Sequence, residues 1–270
     1  MADFTILTDS TCDLPQEIAD KYDIKVACLS VIIDGKQYKN YLDGRELSFP
    51  DLYNAMRNKK LPTTSAVNVT DFLEIMEPEL KAGKDIIYIG FASVMSGTYS
   101  AGCVAANELL EKYPDRKIIT IDTKCATAGE GLLVELCAIE REKGKSIEEC
   151  AEFVNKHLPN VRHMFTVNDL FHLVRGGRTT RGTALMGSLI GIKPILRVND
   201  ENLTIYVTKR QIESLGYINS DGYWQFNWSE DRFVINGIVY KPSGDTQVAQ
   251  AKDEALCFIV ILKRDRDTKF

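Results

Sequence analysis

The sequence predicts an α/β fold in two domains, a parallel βα sheet domain followed by a smaller α/β domain, and three observations carry this. Short apolar runs alternate with amphipathic helical patterns over the first 159 residues, the alternation that builds parallel βα units. The runs "FTILTDS" (4–10), "DIIYIGFA" (85–92) and "KIITID" (117–122) each end in polar residues, as strands do when a ligand site lies beyond their carboxyl ends. The texture then changes near residue 160, which sets the expected boundary: 1–159, then 160–270.

Element by element, "FTILTDS" reads as the first strand and opens the run "TDST". Thr70 reads as the N-cap of a helix over "DFLEIMEPELKAG", in which Phe72, Leu73, Met76 and Leu80 share a face and Gly83 is the stop. "DIIYIGFA" is the next strand; it feeds, through "SVMSGTYS", a helix carrying Ala101, Ala105 and Leu109, with Ser96 placed to cap it. "KIITID" follows, leading into "DTKCAT", and Ser146 with Glu149 forms a capping box for "IEECAEFVNKH". The second domain opens with "VRHMFTV" and a short helix "NDLFHLV" closed by Gly176-Gly177. From Asn199 the pattern loosens, "LTIYVT" being the last convincing strand, and both tryptophans, Trp224 and Trp228, fall in this tail.

Bulk properties narrow the function. A chain of 270 residues, 44% hydrophobic and 26% charged, buries a real core. A net charge of −5 argues against nucleic acid or an anionic membrane surface as standing partner. No segment approaches the roughly 20 apolar residues of a membrane span, so no stable insertion is expected. The seven cysteines form no C-x-x-C pair and no apolar signal stretch opens the chain, from which we expect a reduced, cytoplasmic protein. The three histidines have no cysteines at zinc-ligand spacing, so no metal is expected.

Three polar constellations stand out, each with two readings. Thr63-Thr64-Ser65 after Pro62 is either turn chemistry or a row of hydroxyl donors for an oxyanion. Ser96-Gly97-Thr98 lies where a strand feeds a helix, and a helix N-terminus attracts negative charge. It is neither a P-loop nor a G-x-S-x-G elbow. Arg175-Gly176-Gly177-Arg178, followed by Arg181, is either a solvated helix end or a set of guanidinium forks for phosphate or carboxylate. A hydrolase or transferase could combine Ser96 with His163 or His172 and Asp9 or Asp122. A binding module for a phosphorylated metabolite would use the arginines.

Taken in order, "TDSTCDLP", "LPTTSA" (61–66), "SGTYSAG" (96–102), "IDT" (121–123), "RGGR" (175–178) and "GIKPIL" (191–196) resemble the DegV family of bacterial fatty-acid-binding proteins, over about residues 1–198. The resemblance implies a two-domain DegV-like fold that holds a long-chain fatty acid such as palmitate between the domains. It implies no catalysis by the protein itself and no cofactor, the fatty acid being the ligand. A partner fatty acid kinase would convert the presented carboxylate to an acyl phosphate for phospholipid synthesis. Carried over by motif, Thr64 and Ser96 hydrogen-bond the carboxylate, with Ser65, Gly97 and Thr98 beside them, and Arg178 faces the partner or a phosphoryl oxygen. Candidate acyl-channel residues are Phe165, Leu170, Leu173, Leu185, Leu189 and Ile190. Two features depart from the family pattern: Ala66-Val67 stands where Gln-Pro is usual, and the tail lacks the basic helix start and the terminal histidine with its Gly-Pro-Gly segment.

Overall fold

The computed structural model describes residues 4–166 and 170–178 and, beyond them, the strands named below; the side chains of 162–166, of Leu170 and of those later strands lie outside the description. The chain divides into two compact units, Met1–Pro159 and Asn160–Phe270.

In the first unit the elements run β1 (Phe4–Asp9), α1 (Gln16–Lys21), β2 (Ile24–Ala27), β3 (Ser30–Ile33), β4 (Lys36–Lys39), α2 (Phe49–Arg57) and β5 (Thr63–Ser65). Then come α3 (Val69–Lys81), β6 (Asp85–Gly90), α4 (Thr98–Lys112), β7 (Ile118–Asp122), α5 (Ala128–Glu142) and α6 (Ile147–His157). Strands β2-β1-β6-β7 form a parallel sheet in that order. All six residues of β1 are buried, as expected when helices cover both faces of a parallel sheet. Alternation along the strands sorts the core. Leu7, Ile86 and Tyr88 join Phe72, Met76 and Leu80 of α3 and Ala105, Ala106 and Leu109 of α4 in one buried apolar cluster. The intervening Ile6 and Ile87 point to the opposite face, where α5 and α6 pack on the sheet. A small antiparallel sheet, β4-β3-β5, carries the Thr63–Ser65 segment on its edge. Pro62, lacking an N–H, suits the entry to such an edge.

The second unit holds β8 (Val161–Thr166), α7 (Leu170–Arg175), β9 (Ile195–Val198), β10 (Leu203–Tyr206), β11 (Tyr217–Ile218), β12 (Trp224–Gln225), β13 (Arg232–Ile235), β14 (Ile238–Tyr240) and β15 (Cys257–Leu262). Six of these strands form a sheet in the order β10-β9-β8-β15-β13-β14, antiparallel throughout. The molecule is therefore α/β, with a parallel four-stranded sheet clad by helices and a second, antiparallel sheet.

Three local expectations are corrected. The cap of α3 is Asn68, whose side chain accepts the Asp71 amide while the Asp71 side chain accepts the Asn68 amide, so Thr70 lies inside the helix. The cap position of α4 is Gly97, one residue past Ser96. "LTIYVT" is not the last strand: β15 runs along the whole of β8, from Cys257 opposite Thr166 to Leu262 opposite Val161. A six-residue apolar run, "CFIVIL", is long enough for a central strand, but its partner is far away in sequence and adds no local periodicity. The capping box of α6 forms as read, with Ser146 Oγ accepting the Glu149 amide at 3.2 Å and Glu149 Oε2 accepting the Ser146 amide at 2.8 Å.

Candidate functional site

The carboxyl ends of β1, β6 and β7 lie side by side, so the loops after them share one edge of the sheet. Ser96, Gly97 and Thr98 stand on the β6–α4 loop at the start of a fifteen-residue helix. Ser96 Oγ accepts the Thr98 amide at 3.2 Å and lies 3.0 Å from Thr98 Oγ1. Thr98 is fully buried, Ser96 half-buried and Gly97 exposed. One hydroxyl is thus within reach of solvent at the N-terminus of α4, where it already takes the Thr98 amide, an arrangement that suits an anion.

The loop bearing Ser96 is stitched down along its length. Phe91 N–H donates to Asp9 Oδ2 at 3.2 Å and Ala92 N–H to the Cys125 carbonyl at 2.9 Å. Ser93 donates its hydroxyl to Asp122 Oδ2 at 2.6 Å and its amide to Asp122 Oδ1 at 3.2 Å. The neighbouring β7–α5 loop is tied back by Thr123, whose hydroxyl reaches the Gly90 carbonyl at 2.8 Å. That loop ends at Thr127, a β-branched residue at φ 49°, with its hydroxyl buried and unpartnered. Such backbone strain persists only where the surroundings over-determine it.

Thr64 and Ser65 lie on β5, paired with Val31 and Ser30, and both are exposed. Ser65 Oγ is 3.4 Å from the Ala66 carbonyl. Two residues on, Val67 enters the apolar cluster that also holds Ala105, with Tyr99 and Ala101 packed against it. The segment after β5 and the start of α4 are therefore anchored in the same core.

Arg178 belongs to the second unit. Its amide donates to the Leu173 carbonyl at 2.9 Å, its guanidinium reaches the Gly176 carbonyl, and its side chain is exposed. Gly177, at φ 75°, ends α7 as a left-handed residue, and Leu173 is half-buried. The side chains of Phe165 and Leu170, and all of Arg181, Leu185, Leu189 and Ile190, lie outside the described residues. Of the acids considered for a triad, Asp122 is occupied by Ser93 and Lys124, and Asp9 by Thr11, Tyr88 and Phe91.

Sequence reasoning missed the buried acids that organise this edge. Asp9 and Glu130 are each 0% exposed. Asp9 Oδ1 accepts both the amide (3.0 Å) and the hydroxyl of Thr11, and Oδ2 takes Phe91 N–H and, at 3.4 Å, Tyr88 O–H. Glu130 Oε1 accepts Thr8 Oγ1 at 2.9 Å, and Oε2 lies 3.2 Å from Thr11 Oγ1. Burial pushes both carboxyls up, Glu130 well above the usual range because the Asp9 charge adds to its burial. A signal for Glu130 existed in "AGEGLL": an acid set among glycines and apolar residues in a helix that buries nearly its whole first half.

Among the described residues, no group of three His, Cys, Asp or Glu could hold a metal ion, and no helix is long and apolar enough to cross a membrane. Comparison with known proteins gives the family and the fold. A DegV domain-containing protein of Clostridium perfringens is 43% identical over 200 residues, 74% of this chain and 68% of that one. The structure of a fatty-acid-binding DegV family protein from Thermus thermophilus superposes with a TM-score of 0.67 at 27% identity, covering 76% of this chain and 71% of the other. A stearic acid-binding protein from Eubacterium ventriosum shares the fold over 96% of this chain and 98% of its own, with a TM-score of 0.73 at 22% identity. The family model of the DegV proteins, a family described as uncharacterised, matches residues 3–215. The chain belongs to the DegV family.

Proposed function

We propose that this protein binds a long-chain fatty acid and holds its carboxylate with Ser96 and Thr64, assisted by Ser65, Gly97 and Thr98. The observation that supports this best is the half-buried Ser96 hydroxyl beside the first-turn amides of α4, in a chain 27% identical to a fatty-acid-binding family member. A carboxylate needs a few aligned donors, and hydroxyls with helix-terminal amides supply them without a paired cation. Burying the chain supplies affinity: at about 0.8 kcal/mol per methylene, a sixteen-carbon tail gains on the order of 10 kcal/mol before the entropy of binding is subtracted. Phe165, Leu170, Leu173, Leu185, Leu189 and Ile190 are the proposed channel residues.

We further infer that the protein does no chemistry and presents the carboxylate to a fatty acid kinase, which phosphorylates it to an acyl phosphate in the cytoplasm for phospholipid synthesis. Arg178 is the proposed contact for that partner or for a phosphoryl oxygen; Arg178→Ala is expected to slow phosphorylation and spare fatty-acid binding, as read with purified kinase and ATP. The binding itself is tested by mass spectrometry of an organic extract of the purified protein. A stoichiometric fatty acid in wild type, depleted in Thr64→Ala and Ser96→Ala, is the expected result; a folded wild type that never carries lipid, even after incubation with palmitate, contradicts it.

A further inference from the structure

Beneath the candidate site, one hydroxyl faces two carboxyls. Thr11 Oγ1 is within hydrogen-bond distance of both Asp9 Oδ1 and Glu130 Oε2, yet a threonine hydroxyl carries a single proton and can donate only once. Two ionised carboxylates would leave one of these contacts as oxygen against oxygen with no proton between them. A proton on one of the two acids, donated to Thr11 Oγ1, satisfies both contacts at once.

The donor inventory decides which. Both oxygens of Asp9 face backbone N–H groups, Thr11 N on Oδ1 and Phe91 N on Oδ2, and Tyr88 O–H adds a third donor. Asp9 is an acceptor on every side, the environment of an ionised carboxylate. Among the described residues, Glu130 accepts one hydroxyl, from Thr8, and its other oxygen meets Thr11 Oγ1 alone. Its place in the first turn of α5 favours ionisation, but a helix terminus contributes only about 0.3–1 kcal/mol in ordinary settings, against full burial beside a second acid. The titratable groups facing the pair are Cys12 and Asp13 on the turn after β1 and Tyr88 on β6, with Thr8 and Thr11 as neutral partners.

We propose that Glu130 is a neutral carboxylic acid in the folded protein, donating its proton to Thr11 Oγ1, which donates its own to Asp9 Oδ1, and that this relay positions the loop bearing Ser96. Thr8 and Glu130 lie on the α5 face of the sheet, Asp9 and Tyr88 on the α4 face, and Thr11 stands where the chain turns past the end of β1. The relay therefore joins both helical layers, and Asp9 passes the restraint on through Phe91 N–H. It also keeps one negative charge rather than two beneath a site that receives an anion. This last consequence, and the positioning role, rest on the carboxylate-binding reading; the location of the proton does not.

The amide isosteres distinguish the two acids. In Glu130→Gln, Oε1 still accepts Thr8 and the side-chain NH2 donates to Thr11 Oγ1, so the network survives. In Asp9→Asn, the NH2 faces a backbone N–H in either orientation. We expect Glu130→Gln to melt at or above the wild-type midpoint at pH 7, Glu130→Ala and Asp9→Asn well below it, and the wild-type-minus-Gln difference infrared spectrum at pH 7 to show the carbonyl band of a protonated acid. The sign of the pH dependence follows from linkage. A carboxyl raised in the fold retains a proton that the unfolded chain releases, so wild-type stability falls relative to Glu130→Gln as pH rises above the ordinary value of 4.5. Below that value the two run parallel. Absence of the band, a Glu130→Gln protein no more stable than Glu130→Ala, or tolerance of Asp9→Asn with loss in Glu130→Gln would each overturn the assignment. Palmitate uptake is read in parallel: wild-type-like loading in Glu130→Gln supports the positioning role, and lost loading in that variant while wild type loads refutes it. Failure of wild type itself to load refutes the carboxylate reading and the positioning role with it, while the infrared and melting arms still decide the proton.

Discussion

Ser96 already has partners without ligand, since its oxygen takes the Thr98 amide and sits beside Thr98 Oγ1. A carboxylate held as proposed therefore exchanges bonds with this hydroxyl instead of satisfying an orphan, and its expected net gain is that of one charge-assisted hydrogen bond, about 1.5–3 kcal/mol. Ser96→Ala is expected to weaken palmitate binding by roughly ten- to a hundredfold, with the unfolding midpoint little changed; calorimetric titration of delipidated protein measures the first and a thermal melt the second. Gly131 acts differently. A methyl group there would overlap the Cys12 carbonyl oxygen, so its absence lets α5 approach the turn after β1 and bring Glu130 to Thr11. Gly131→Ala is expected to cost about 1–3 kcal/mol, as overpacking does, and to lower both the midpoint and fatty-acid loading. A midpoint equal to wild type would show that the close approach is not needed.

At the level of elements, the two capping boxes give a direct check on how the helices around the sheet are held. Asn68→Ala and Ser146→Ala each remove an acceptor from a helix N-terminus and should cost about 1 kcal/mol, as read by chemical denaturation. Ser146 was legible because Ser-x-x-Glu stands directly before an apolar periodic run. Asn68 was not, because Thr70 is an equally good cap residue two positions later and only the backbone decides between them. The strands β1, β6 and β7 were legible as apolar runs between helices. The edge strand β5 was not: Thr63-Thr64-Ser65 has no apolar alternation, and its pairing is dictated by β3. The same limit hid the acid relay. "TDST" marked the sheet edge and "AGEGLL" set Glu130 among apolar residues, but neither run tells that the two acids meet at Thr11, since that meeting is made by α5 packing on the end of β1.

Across the whole molecule, the proposed reading assigns head-group recognition and acyl burial to different stretches of sequence. The hydroxyl residues proposed for the carboxylate all lie within Met1–Pro159: Thr64 and Ser65 on β5, and Ser96 and Thr98 where the β6–α4 loop, braced by Asp9 and Asp122, enters its helix. The proposed channel residues all lie within Asn160–Phe270. Orientation and affinity are then separable: removing a hydroxyl should erase the preference for an ionised head group without abolishing the apolar contribution. The most direct measurement is titration of delipidated wild type, Thr64→Ala and Ser96→Ala with palmitate and with hexadecanol, which share a tail and differ in the head. A carboxylate clamp predicts tighter binding of palmitate by wild type and a smaller gap between the two ligands in both variants. Equal affinity of wild type for the two, or a gap that both substitutions leave intact, would contradict it.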